Sequence, residues 1–130
     1  MENKTLEKLV QVIKSALAEK EKQFNQLAAK MNENYDWFFR YRAIDLFIVN
    51  LEIKHLRKLL EELERPEIDN VEEIIDCEYH FHLQRLVSDS VTACTNVPMH
   101  NLAYIHERTV SQKMYNLLGR LKTIIENNRQ

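Results

Sequence analysis

Two Glu/His pairs in the middle of the chain have the residue types and the spacing of a ligand site or a buried polar layer. Glu52 and His55 are three residues apart, and Glu78 and His82 are four residues apart. In an α-helix, both spacings place the two side chains on one face. In each segment that face also carries the apolar residues, so we expect all four side chains to be buried. A buried charge is costly unless it is paired, hydrogen-bonded or bound to a metal.

Metal binding is the first chemistry that these four residues could perform. Carboxylate and imidazole groups suit zinc, iron or manganese, and four at one height could close a mononuclear site. Glu52 and His55 have the Glu-x-x-His spacing of di-iron helical bundles, but the chain has only one such motif. We prefer the alternative, a structural layer in which Glu52, His55, Glu78 and His82 hydrogen-bond and fix the register of the helices. On that interpretation no cofactor is expected.

A second polar layer is predicted about two helical turns away. The residues expected to form it are Asp45, Arg42, Asp89, Arg85 and His106. Opposite charges are plentiful in this set, so we predict a network of ion pairs. Two carboxylates near one histidine can acquire separated pKa values, which makes a catalytic acid–base pair the alternative.

The segment 35–42 is dense in aromatic and basic residues. Its candidate contact residues are Trp37, Phe38, Arg40 and Tyr41. We favour an arrangement in which the rings fill one end of the molecule and the arginines extend into water. An exposed aromatic patch for a protein partner is the second interpretation. Stacking of nucleic-acid bases on the rings, with Arg40 and Arg42 near the phosphates, is the third.

Four amphipathic helices are predicted to position these groups. Their expected ranges are 5–32, 36–64, 69–95 and 98–127. Apolar residues recur in them at three- and four-residue spacing, with heptad seams in the first and the last. Asp36 and Asp69 are the expected N-caps, although the first two helices could instead be one bent helix. Short connections favour a single all-α domain, an antiparallel up-down-up-down four-helix bundle with long helices.

The composition argues against several other classes of protein. The chain has 130 residues with one glycine and two prolines, which disfavours a sheet because sheets need frequent turn residues. A net charge of −2 gives no basic surplus for nucleic acid, which makes that partner unexpected. No long apolar run and no apolar leader occur, so we expect neither a membrane span nor a signal peptide. Cys77 and Cys94 are expected to be free thiols, which favours a cytoplasmic location.

The sequence contains no familiar catalytic signature: it has no P-loop, no glycine-rich dinucleotide turn and no nucleophile elbow. We therefore predict a non-enzymatic protein-interaction or regulatory module. A heptad seam can pair with a copy of itself as readily as with a neighbouring helix, so we expect a homodimer or a helical protein partner. A metal-binding bundle and a nucleic-acid-binding regulator are the alternatives.

Overall fold

The computed structural model describes residues 3–65, 70–87 and 98–129, and these are helical almost throughout. The helices are α1 (Asn3–Glu33), α2 (Tyr35–Tyr41), α3 (Ala43–Leu63), α4 (Val71–Val87) and α5 (Pro98–Asn127). The described ranges contain no strand, so the all-α prediction is confirmed. The predicted cap Asp69 and the predicted end of the third helix lie outside these ranges. None of the described helices combines the length and the apolar character that crossing a membrane requires.

The predicted second helix, 36–64, is divided at Arg42. This residue has φ −131° and ψ −4°, whereas an α-helix has φ of about −63° and ψ of about −42°. Helical hydrogen bonds nevertheless continue on both sides of it. The Arg42 N–H donates to the carbonyl of Phe38 (2.7 Å), and the Leu46 N–H donates to the carbonyl of Arg42 (3.2 Å). The prediction of one helix was wrong because neither glycine nor proline marks the interruption.

The boundary between α1 and α2 is formed by Asn34. Its backbone is extended, and its side-chain Oδ1 accepts a hydrogen bond from the Trp37 N–H at 3.1 Å. The Asn34 N–H donates to the carbonyl of Lys30, so the same residue ends α1 and caps α2. A break at this position was predicted, but the predicted cap was wrong. Asp36 lies instead in the first turn of α2, where a negative charge is favourable.

Ion pairs define the relative directions of α1 and α3. Lys14 near the start of α1 lies 3.2 Å from Glu64, just after the end of α3. Further along α1, Glu21 lies 3.9 Å from Arg57. Residue numbers therefore rise on one helix as they fall on the other, and the two helices run in opposite directions.

Helices α4 and α5 are also antiparallel to each other. Lys122 lies 3.0 Å from Asp76, and Arg85 lies 2.6 Å from Glu107. Helix α5 also packs on α3, which in turn packs on α1. The long helices thus bring their middle segments, where the predicted ligands lie, to one level.

Among the residues whose burial the structure describes, the buried core is uneven along the molecule. A large cluster joins the start of α1, the end of α3, the start of α4 and the second half of α5; its members include Leu9, Ile13, Leu59, Ile75, Leu118 and Leu121. A small cluster joins the end of α1 to α2 and the first half of α3, and consists of Leu27, Phe38, Val49 and Ile53. Burying one large apolar side chain contributes about 1.5–3 kcal/mol, so the large cluster supplies more hydrophobic stabilisation than the small one.

Candidate functional site

Glu52 is a buried carboxylate held between two lysines. Glu52 is 3% exposed, and its carboxylate contacts α1 and α5 and not the histidines with which it was predicted to bind a metal. Lys20 of α1 places Nζ 3.0 Å from Glu52 Oε2, and Lys113 of α5 places Nζ 3.1 Å from Oε1. Both carboxylate oxygens are therefore neutralised by ammonium groups from two other helices. A metal ion at Glu52 would meet two positive charges within a few ångströms, which opposes its binding.

The two lysines were missed as partners of Glu52 because its three-residue spacing from His55 assigned it to the helix face that carries the histidine. A signal was present, since Lys20 and Lys113 occupy seam positions at which α1 and α5 would otherwise carry apolar residues. A lysine in a heptad seam is unfavourable unless an acidic group meets it inside. Glu52 supplies that group.

A second cluster is centred on His82, which has no exposed surface. Its Nδ1 shares a hydrogen bond with Ser111 Oγ of α5 at 3.0 Å. Its Nε2 lies 3.9 Å from Glu78 Oε2, which is too long for a hydrogen bond. The His55 ring of α3 packs edge-on against the His82 ring, with their centroids 5.1 Å apart. We refer to His55, Glu78, His82 and Ser111 as the imidazole cluster.

Burial keeps both rings of the imidazole cluster neutral at neutral pH. Burial, with the positive charges of His55, Arg85 and Lys58, lowers the pKa of His82 to about 4. Burial also lowers the pKa of His55; Arg85 and Lys58 act in the same direction and Glu107 opposes them. A neutral ring accepts at one nitrogen and donates at the other. Protonation of either ring to the imidazolium form would therefore destabilise the folded protein.

The four predicted metal ligands are divided between these two clusters. His55, Glu78 and His82 lie together, and Glu52 is bound to its lysines. Burial raises the pKa of Glu78, and Lys58, whose Nζ lies 3.8 Å from its carboxylate, opposes this shift. Although these three residues are neighbours, no three His, Cys, Asp or Glu side chains among the residues that the structure describes are arranged so that they could hold a metal ion. A mononuclear zinc, iron or manganese site stays a prediction.

The residues of the second predicted polar layer form separate contacts. Arg42 Nε lies 3.2 Å from Asp45 Oδ2, and both side chains are substantially exposed. Arg85 pairs with Glu107, a residue that the sequence analysis did not select. His106 lies against the Phe47 ring at a centroid distance of 5.9 Å. Asp89 is outside the described residues. Where the structure describes them, these groups make local pairs and no shared acid–base centre.

Aromatic residues of α2 divide between core and surface. Phe38 is 1% exposed and belongs to the small core cluster, so it cannot form part of an exposed patch. Trp37 is 42% and Tyr41 66% exposed, and their rings lie 5.9 Å apart. Arg40 is also exposed. The expectation that the rings fill one end of the molecule therefore applies to Phe38 alone.

More large apolar side chains are exposed than the sequence indicated. The exposed large apolar residues of the described ranges are Tyr35, Trp37, Phe39, Tyr41, Ile44, Phe47, Phe81, Val87 and Ile105. The contact of Phe47 with His106 and the hydrogen bond from Arg108 to the carbonyl of Leu86 bring α3, α4 and α5 together at this end. We call these nine residues the aromatic end. It lies opposite the large core cluster.

Comparisons of the chain with protein-family models, with curated proteins and with solved structures found no match.

Proposed function

We propose that the chain is a non-enzymatic protein-interaction module, and that it self-associates as a homodimer through the aromatic end. The observation that carries this proposal is the collection of nine exposed large apolar side chains in one half of the molecule. On α2 the exposed rings lie close together, with centroid distances of 4.5 Å for Tyr35 and Phe39 and 5.9 Å for Trp37 and Tyr41. Grouped exposed apolar side chains are typical of an interaction site. Tryptophan, tyrosine and arginine are also enriched at protein interfaces.

The proposed frame for this surface is a single antiparallel up-down-up-down bundle of α1, α3, α4 and α5. The opposed ion pairs of α1 with α3 and of α4 with α5 support it. In this frame α2 lies across one end, and its outward rings project away from the core. The exposed free thiol of Cys77 is typical of a reducing compartment and supports a cytoplasmic location.

A second copy is the proposed partner because α2 is electrostatically self-complementary. Asp36 lies in the first turn of α2 and Arg40 in its last turn, and both are exposed. Neither forms an ion pair within the described residues. A twofold axis between two antiparallel α2 helices would place Asp36 of each protomer near Arg40 of the other. The rings of Trp37 and Tyr41 would then be covered by the same contact.

The interior groups fit a structural role better than a catalytic one. The His82 ring has no exposed surface, so no substrate can reach it without a rearrangement of the helices. Glu52 is already neutralised by its two lysines. These interior charges support a structural role, and the surface supports a binding role.

The test is the molar mass in solution, measured by analytical ultracentrifugation between about 1 and 100 µM protein. We expect about twice the chain mass of 15.6 kDa for the wild type. Asp36→Arg and Arg40→Asp alone each place like charges across the interface, so each variant should shift the mass toward the monomer. The double exchange restores opposite charges and should restore the dimer.

Lys22→Asp is the matched control for this series, since Lys22 is an exposed lysine of α1 away from the aromatic end. It should leave the dimer intact. A wild-type protein that stays monomeric at the highest concentration contradicts the proposal. Dimers that tolerate each single charge reversal would contradict the antiparallel pairing of α2.

A further inference from the structure

We infer that a second, separate surface binds an acidic amphipathic helix of another protein. This surface is a groove between α1 and α5, with one face of α3 as its floor. Helices α1 and α5 both pack on α3, and they contact each other less than either contacts α3. The groove contains two adjoining cavities of about 260 Å³ and about 330 Å³, which share Lys113.

The floor of the groove has the length and the spacing to hold a helix. Asp45, Ile48, Glu52 and Leu56 of α3 line the two cavities at three- and four-residue intervals. At a rise of 1.5 Å per residue this stripe is about 16 Å long, which corresponds to about three turns of a bound helix. Leu27, Met114 and Leu117 also line the cavities, but like Leu56 they are almost fully buried in the core. The half-buried Ile48 of α3 and Ala16 of α1 therefore provide the apolar surface that a bound helix would contact. Amphipathic helices bind in grooves of this kind through residues at i, i+3, i+4 and i+7.

The charges of the groove select an acidic partner. Five basic side chains line the two cavities: Lys20, Lys30, Arg42, Lys113 and Arg120. Only two acidic side chains, Asp45 and Glu52, accompany them. The whole chain has the opposite balance, with a net charge of −2, so positive charge is concentrated at this surface. A partner with glutamates beside its apolar stripe is complementary to this arrangement.

The two lysines at the centre of the groove also favour the binding of a partner's carboxylate. Lys20 and Lys113 reach over Glu52 from opposite walls, and together they carry one more positive charge than Glu52 neutralises. Within the described residues Lys30 and Arg120 form no ion pair. Carboxylates on a bound helix would therefore find cations at the centre and toward both ends of the groove.

The experiment uses fluorescence anisotropy of the 130-residue chain with three labelled synthetic peptides of about fifteen residues. The first has leucines at i, i+3, i+4 and i+7 flanked by glutamates. The second replaces each glutamate by lysine. The third has the composition of the first in an order that removes the apolar face. We expect the first peptide to bind, more weakly as salt is raised, and the other two at least tenfold more weakly (about 1.4 kcal/mol).

Two matched double variants locate the site on the protein. Lys30→Glu/Arg120→Glu reverses two groove charges that have no partner among the described residues, and should weaken binding at least tenfold. Lys22→Glu/Lys54→Glu makes the same change in net charge at exposed lysines outside the groove, and should change binding less than twofold. Circular dichroism melting curves for both variants verify that they fold.

Several results would overturn the inference. One is no binding of the acidic amphipathic peptide at several hundred micromolar protein. Another is equal weakening by the two double variants, which would indicate a general charge effect. Equal binding of the reordered peptide would remove the helical requirement. Preferential binding of a single-stranded oligonucleotide, with the same dependence on Lys30 and Arg120, would assign the groove to nucleic acid instead.

Discussion

Replacing Glu52 by methionine should cost far less stability than removing the two lysines that bind it. The reason is an asymmetry of exposure. The Glu52 side chain is 4% exposed, whereas Lys20 is 23% and Lys113 46% exposed. If Glu52 is removed, both ammonium groups can turn toward water. If both lysines are removed, the carboxylate is left buried without a partner, because its own helix fixes it in place.

The magnitudes follow from the behaviour of buried ion pairs. Leaving one buried charge uncompensated costs about 3–5 kcal/mol, whereas replacing a whole buried group of charges by apolar residues is often neutral or stabilising. We therefore expect Lys20→Met/Lys113→Met to lose about 3–5 kcal/mol of unfolding free energy. Glu52→Met should stay within about 1 kcal/mol of the wild type. The triple methionine variant should recover most of the loss, since the three substitutions are coupled.

Urea unfolding followed by circular dichroism measures these differences. With a denaturant slope of about 1–3 kcal/mol per molar urea, a 3 kcal/mol loss lowers the midpoint by about 1–3 M. All variants are compared at one protein concentration, because the proposed self-association would make stability depend on concentration. Glu64→Met is the control: it removes the exposed Lys14–Glu64 pair and should cost under about 1 kcal/mol. A larger loss for Glu52→Met than for the double lysine variant would refute the reasoning.

Two further predictions concern buried rings. The pKa of His82 falls from 6.5 in the unfolded chain to about 4 in the folded protein. The neutral ring therefore contributes stability that is complete above pH 6.5 and is lost as the pH falls toward 4. The loss of unfolding free energy over this range amounts to at most about 3 kcal/mol. The His82→Gln variant should show a flatter decline of unfolding free energy between pH 6.5 and 5, and parallel profiles would contradict the assignment. Phe38→Ala should lower the unfolding free energy by about 3–5 kcal/mol, because Phe38 is buried. Phe39→Ala, at the exposed neighbouring position, should lower it by about 0.5 kcal/mol or less. Both losses are measured by urea titration of dilute protein, and equal losses would contradict the burial of Phe38.

The helical content was predictable because apolar periodicity is a local property of the sequence. Scarce glycine and proline leave long segments uninterrupted, and α1 and α5 follow the predicted ranges closely. The interruption at Arg42 was not predictable in the same way. Hydrogen bonds continue on both sides of this residue, so the apolar pattern carries no gap there. The polar cluster at 32–34 did mark the first break, since Asn34 is a favourable cap.

The candidate sites were predictable only in part because side-chain partners depend on the rotation of each helix as well as on height. The three-residue spacing grouped Glu52 with His55 on one helix face. Rotation divides them: Glu52 faces α1 and α5, and His55 faces His82 of α4. Ser111 was missed because a small hydroxyl residue carries no periodic signal. The packing of α4 against α5 brings its hydroxyl within hydrogen-bond distance of His82 Nδ1, and this contact is not visible in the sequence.

The uneven core has a consequence for how this chain can change. The cluster around Ile13, Ile75 and Leu118 holds the helices together at one end, and the exposed rings of α2 contribute little to that cohesion. Substitutions of exposed residues usually alter stability by no more than about 0.5 kcal/mol, so the exposed positions of α2 can vary while the fold persists. The residues that hold the described helices together are thus separate from the exposed rings that we propose as the contact surface. New contacts can therefore arise at one pole without loosening the other.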